Sequence, residues 1–269
     1  MSSELYRNAE HDFPIIRKHT QRMLELVELR TKKDFKLNEL DHFGFMALCF
    51  TYKQLEHAHS IEILVDSGQY IDAAILARVM LEGFLLLGWA SLLPEERGLR
   101  WRAYALVSDF KLLMEKKHRG EEVNTDVEKE LRLRLSEFDE PFLTSIARKN
   151  GKEKYPDPYQ KSWRVHADGS KVELRDMVDD LKDPQLKELY ENLSQFGHWT
   201  PRGIGEIKRD DLNVRIEFQS KGYAAQACAA TFFVLGYTLE ILSRHFGLGM
   251  ESEVTNAFDD YLRELGHDV

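Results

Sequence analysis

Two helical stretches far apart in the sequence carry the residues best suited to chemistry. In "LYENLSQFGHWTP", Ser194 and His198 are four positions apart and so project from one helix face, with Tyr190 one turn earlier. A serine nucleophile also needs its base oriented by a third group, and one helical turn supplies proximity only. Because no G-x-S-x-G segment is present either, serine hydrolase chemistry is not favoured. The helix dipole alone also favours a histidine in a last turn.

The second stretch, "AILARVMLEGFLLLGW", places two charges in an apolar stripe. Arg78 and Glu82 are four positions apart and share a helix face with Ile75 and Trp89. Arginine before glutamate is the weaker order for an exposed pair, so surface stabilisation explains it poorly. If the stripe is buried, each charge needs a partner. Two interpretations stay open: an ion pair that joins helices, or part of a functional site.

A third stretch, "RWRAYALVSDFKLL", adds two binding candidates. Trp101, Tyr104 and Phe110 recur at helical spacing and are predicted to be core aromatics. Asp109 and Lys111 are embedded between apolar residues, which makes them candidates for binding. The alternative is that both simply face solvent.

A carboxylate-bridged dimetal site is a further alternative. Glu56-x-x-His59, followed by Glu62, and Glu115-x-x-His118 have the spacing such sites use in helical bundles, and His57 adds a ligand. Short motifs of this kind arise by chance in an acidic chain. We therefore predict no metal and no cofactor, and keep the dimetal protein as the least favoured alternative.

Apolar spacing is helical almost throughout, and we predict a mainly α fold: a single helical bundle with two long loops that carry short β-hairpins. The predicted domain spans residues 1–269, with a core at about 38–247 and irregular loops at 150–173 and 199–221. Hairpins are expected at the Asp168-Gly169 pair and between Ile204 and Phe218. The predicted helices are Pro14 to Arg30, Leu40 to Val65, Tyr70 to Leu92, Pro94 to Lys117, one from the Thr125 to Glu128 capping box to near Pro141, one from Leu174, Pro184 to His198, Tyr223 to Phe246, and one after Ser252.

Composition limits the function classes. The formal net charge of −9 opposes nonspecific attraction to phosphate backbones and anionic lipid, so any nucleic-acid contact has to be local. Cys49 and Cys228 lie in apolar or alanine-rich stretches and are predicted to be reduced core residues. The N-terminus lacks the pattern of a signal peptide. Residues 222–239 are free of charge but rich in alanine and glycine, which favours a buried central helix over a membrane span. We predict a cytoplasmic protein with no membrane attachment.

Four motifs together resemble one bacterial helical family, domain of unknown function 5677: "LARVMLEGFLLLGW", "RWRAYALVSDFK", a tryptophan in the middle loop, and "LYENLSQFGHW". The resemblance covers roughly Leu55 to Leu242. It implies a helical fold in which the matching residues converge on one pocket. These residues are Arg78, Glu82, Asp109, Lys111, Trp163, Tyr190, Ser194 and His198.

That family is distantly similar to the HEPN helical ribonucleases of bacterial defence and toxin systems, in which an arginine and a histidine on one helix cleave RNA without metal. This chain departs from that pattern. The nearest local match, "RNAEH" from Arg7 to His11, is one residue short, so Arg78 and His198 have to meet from different helices.

The resemblance favours a defence- or stress-associated enzyme that cleaves RNA or processes nucleotides without metal. Its catalytic residues would be Arg78, Glu82, Ser194 and His198; its binding residues would be Asp109, Lys111, Trp163 and Tyr190. The predicted partner is RNA or a nucleotide in a local pocket, with a protein partner or a homodimer as further candidates. The alternative is a noncatalytic helical binding or regulatory module.

Overall fold

The computed structural model of this chain describes residues 9–137, 142–155, 158–160, 162–166, 170–196, 206–210, 213–217 and 220–267. This part is mainly helical, which confirms the predicted fold class. The helices are α1 (Ala9–Thr31), α2 (His42–Asp66), α3 (Tyr70–Ser91), α4 (Pro94–His118), α5 (Thr125–Ser136), α6 (Ser145–Asn150), α7 (Leu174–Leu181), α8 (Pro184–Ser194), α9 (Lys221–Phe246) and α10 (Glu251–Glu264), with a 3-10 turn at Lys152–Lys154.

The predicted second hairpin is present. Strands β1 (Glu206–Asp210) and β2 (Asn213–Glu217) pair antiparallel, with Glu206 opposite Glu217 and Asp210 opposite Asn213. At the first predicted hairpin, an isolated antiparallel bridge joins Val165 to Lys171. The Asp168-Gly169 pair itself lies outside the described residues.

One predicted helix start and one predicted capping residue are corrected. Helix α1 begins at Ala9, so Pro14 lies inside the helix, where its missing N–H removes a single backbone bond. Helix α5 begins at Thr125, but the capping group is Asn124, whose Oδ1 accepts from the backbone N–H of Asp126 at 2.9 Å. Asparagine is among the residues most favoured at the N-cap position. With Asn124 as the cap, Thr125 is the first residue of the helix instead of its cap.

One helix end bears directly on the candidate site. Helix α8 starts as predicted at Pro184, with Asp183 accepting from the N–H of Gln185 at 2.8 Å, but it ends at Ser194. The predicted continuation of the helix is wrong at Gln195 and Phe196, which form a turn, and the predicted end at His198 lies outside the described residues.

The chain divides into two compact units. Unit 1 comprises Met1–Asn38, Ala47–Trp89 and Leu174–Val269, and unit 2 comprises Glu39–Met46 and Ala90–Glu173. The expectation of one domain over residues 1–269 stays a prediction.

Helix α9 forms the centre of unit 1. Its side chains from Ala227 to Leu235 are buried, and helix α1 packs along it, with the Thr20 hydroxyl donating to the carbonyl of Cys228 at 2.9 Å. By length and composition, α9 is the one helix in the described ranges that passes as a membrane span, yet 78% of its most apolar window is buried inside the protein. This burial is what a core helix requires.

Unit 2 has its own apolar core, built from α4, α5 and the segment after α5. Phe110 of α4 and Phe142 are each at most 1% exposed, and the Phe110 ring meets that of Tyr159 edge-on at 5.4 Å. The predicted core position of Phe110 is confirmed, whereas Trp101 and Tyr104 are half-buried.

Candidate functional site

Helix α3 holds Arg78 on a rigid support. Its neighbours Ala77, Met80 and Leu81 are completely buried, so the helix has little freedom to move. The Arg78 side chain is 15% exposed and that of Glu82 31%. The stripe carrying both charges is therefore neither fully buried nor free in solvent.

The guanidinium of Arg78 joins two helices. Its Nε donates to Oε1 of Glu82 at 2.8 Å, and its Nη1 donates to the backbone carbonyl of Ser194 at 2.6 Å. The second bond spans 116 positions of sequence and reaches the last residue of α8. Carbonyls at a helix C-terminus lack intrahelical donors and carry partial negative charge, so a cation is well placed there.

Ser194 contributes its carbonyl oxygen to this contact. Its hydroxyl donates instead to the carbonyl of Glu191 at 2.9 Å, one turn back in the same helix. The hydroxyl proton is therefore used in a hydrogen bond within the last turn of α8. The structure thus brings Arg78, Glu82 and Ser194 together, while His198 lies outside the described residues.

Tyr190 stands one turn before Ser194 on α8. It is half-buried against the apolar core of unit 1, beside the buried Leu189 and Leu193. Its position anchors the end of α8 that Arg78 contacts.

The remaining candidates belong to unit 2. Asp109 is exposed and lines a cavity between α4 and α5. Lys111 donates from Nζ to the carbonyl of Gln160 at 2.8 Å and lies 5.8 Å from the centre of the Tyr104 ring. Trp163 packs half-buried against the core of unit 2. The expectation that these residues share a pocket with Arg78 stays a prediction.

The dimetal pattern does not assemble within the described part of the chain. His59 Nε2 lies 2.6 Å from Glu28 Oε1, whereas Glu56 pairs with Lys53 at 2.9 Å. That hydrogen bond from Lys53 lowers the pKa of Glu56, and burial lowers the pKa of His57. Among the residues described, no three His, Cys, Asp or Glu side chains lie close enough to hold a metal ion.

One supporting residue was missed from the sequence. Gln54 of α2 is 2% exposed, and its Nε2 donates to the carbonyl of Met80, in the α3 turn that carries Arg78. A second close approach lies at Gly83, where an added Cβ would stand 3.1 Å from the same nitrogen. An isolated glutamine in a helix gives no sequence signal of burial, since glutamine is mostly exposed in proteins.

A family model described as "Family of unknown function (DUF5677)" matches residues 44–213, which is more than half of the chain. Searches of the curated proteins and of the solved structures found no match.

Proposed function

The chain belongs to the DUF5677 family, and we propose that it is a metal-independent enzyme that cleaves RNA or processes nucleotides. By its resemblance to the HEPN proteins, we further propose a bacterial protein of defence or stress response that works in the cytoplasm. Its active centre lies in unit 1, where the Arg78 guanidinium is held at the end of α8 that leads to His198.

The observation that carries this proposal is how Arg78 is held. A guanidinium has five N–H donors, and the bonds to Glu82 and Ser194 use two of them. The other three have no partner among the described residues. A half-buried, oriented arginine with donors to spare is suited to phosphate, because its planar fork matches phosphate oxygens.

The chemistry then needs a proton carrier beside that cation. In RNA cleavage, His198 would take the proton of the 2'-hydroxyl as its oxygen attacks phosphorus, and the P–O5' bond would break. The proton returns to O5', which leaves a 2',3'-cyclic phosphate and a 5'-hydroxyl. Arg78 would stabilise the charge on the pentacoordinate phosphorus, and Glu82 would position Arg78 without touching substrate.

A noncatalytic helical binding or regulatory module is the second candidate. The bond from Arg78 to the Ser194 carbonyl favours it, because capping a helix end is a sufficient reason for the arginine. Under this candidate the polar cluster stabilises α3 against α8, and a protein or small ligand binds elsewhere.

The two candidates differ in what substitution does. We would assay the intact protein, with EDTA present, on a labelled single-stranded RNA and on ATP and GTP. The enzyme predicts that His198→Ala lowers turnover about a hundredfold or more with an unchanged melting temperature. Arg78→Lys should also lose most activity, because lysine cannot reproduce the two-pronged contact. His267→Ala, an exposed histidine in unit 1, is the matched control.

Full activity of His198→Ala would overturn the enzyme proposal, as would a wild-type protein inactive on all three substrates. Activity lost only in step with melting temperature would favour the noncatalytic module.

A further inference from the structure

A second surface with binding potential lies in unit 2, between α4 and α5. A cavity of about 720 Å³ opens there. Its floor is apolar and largely buried: Leu106, Leu113 and Leu131 are each 8–9% exposed. We call the surface lined by residues of α4, α5 and the connection between them the α4–α5 groove.

Two apolar side chains of the groove are left in solvent. Leu112 on α4 and Val127 on α5 are each 57% exposed, although both line the cavity. Large apolar residues next to a preformed cavity are typical of a surface that a partner covers. These two side chains extend the apolar surface of the groove from its buried floor to the solvent.

An ion pair outside the cavity lining joins the two helices that form the groove. Lys117 of α4 forms an ion pair with Glu128 of α5, and Arg132 reaches the same carboxylate at 2.9 Å. These contacts lower the pKa of Glu128, led by the hydrogen bond from Lys117. The pair therefore links α4 to α5 beside the groove.

The charged groups around the groove are mostly acidic. Four carboxylates line it against two cations, and all six residues are exposed. They are Asp109, Glu122, Asp126 and Glu130 against Lys116 and Arg134. An apolar floor with an exposed charged rim is the usual anatomy of a protein interface.

The shape favours a helix over a small molecule. From Leu106 to Lys116, the α4 wall covers about 15 Å, or roughly three helical turns. Its charges are distributed along this length, whereas a small-ligand site has a few polar groups that converge on one point. A second copy of the chain is disfavoured, because it would bring the same acidic rim and another net charge of −9.

We propose that the α4–α5 groove binds an amphipathic helix of a protein partner, with apolar anchors on one face and basic residues beside them. The anchors enter between Leu112 and Val127, as in other helix-in-groove complexes. The basic flanks face the carboxylates of α5. This proposal is independent of the one for Arg78.

The test uses the whole protein and a designed probe. The probe is a fluorescein-labelled peptide of about 18 residues, with leucine at helical i, i+4, i+7 and i+11 spacing and lysine on both flanks. A second peptide carries glutamate in place of lysine. We expect saturable binding of the lysine peptide by fluorescence anisotropy, weakening with salt, and at least tenfold weaker binding of the glutamate peptide.

Protein variants locate the site. Leu112→Ser and Val127→Ser should each weaken binding about tenfold or more. Leu133→Ser is the matched control: Leu133 is 63% exposed on the same helix as Val127 but does not line the cavity, and its variant should bind as the wild type does. Absence of saturable binding, equal affinity for both peptides, or an equal loss in Leu133→Ser would overturn the proposal. A dimer in sedimentation that Val127→Ser dissociates would assign the groove to a second copy instead.

Discussion

The guanidinium of Arg78 donates a 2.6 Å hydrogen bond to the main-chain carbonyl of Ser194, at the C-terminal end of α8. This contact ties the end of one helix to the middle of another. In this contact α3 supplies the side chain of an arginine, and α8 supplies a backbone carbonyl. The segment that follows carries His198.

Arg78→Ala should destabilise the protein. The change leaves the Ser194 carbonyl and the Glu82 carboxylate without this donor in a half-buried setting, at a cost of about 1–3 kcal/mol. Urea unfolding measures it. The control is Arg244→Ala, which breaks an exposed pair with Glu240 on α9 and should cost about 1 kcal/mol at most. Equal losses in the two variants would contradict a special role for the contact.

Stability should fall in acid through Glu264 of α10. Hydrogen bonds, first from Lys18 and then from His19 of α1, lower the pKa of this carboxyl below its ordinary 4.5. A depressed folded-state pKa stabilises the fold above the unfolded value, and the contribution is lost as pH falls through the folded value. We expect the urea midpoint to fall less steeply below about pH 4.5 in Glu264→Gln than in the wild type.

Asp260→Asn removes one exposed carboxylate from the same helix, which pairs with Arg263 of α10, and serves as the control for loss of a carboxylate outside the contact with α1. If Glu264→Gln and the wild type share one pH profile, the contact with α1 has no part in acid stability.

The thiol of Cys228 should be inert in the folded protein. It is completely buried in α9, and burial raises its pKa to about 12. At pH 8 only about one molecule in ten thousand then carries the reactive thiolate. In a Cys49→Ser background, Ellman's reagent should label Cys228 only after unfolding in guanidinium. Rapid labelling in native buffer would show that α9 opens readily.

Gly98→Ala should destabilise unit 2 even though alanine is the better helix former. A Cβ at Gly98 would stand 2.7 Å from the backbone N and Cα of Phe43, which cannot rotate away as a side chain can. We expect a loss of about 1–3 kcal/mol in urea unfolding. Gly88→Ala is the comparison, because the nearest neighbours of its Cβ are side-chain atoms: the methyl groups of Leu181 at 3.3 Å and Cζ of Phe84 at 3.4 Å. A loss at Gly88 as large as that at Gly98 would refute the explanation.

The sequence by itself determined the elements. Helical apolar spacing located the helices, Pro94 and Pro184 marked two starts, and the β1–β2 hairpin lies inside its predicted segment. These signals are local, because a helix or a turn depends on residues within a few positions of each other. Pro14, the predicted first residue of the first helix, lies inside α1, and Thr125, the predicted capping residue, is the first residue of α5; such errors at helix ends are small.

Only the tertiary structure decided the partners. The sequence indicated that Arg78 and Glu82, as charges in an apolar stripe, needed neighbours, but the neighbour of Arg78 is a backbone carbonyl. Every residue carries one, so no side chain marks it in the sequence. Likewise, the spacing of α4 and α5 creates the cavity beside Asp109, and two helices that are apolar on facing sides do not specify how closely they pack.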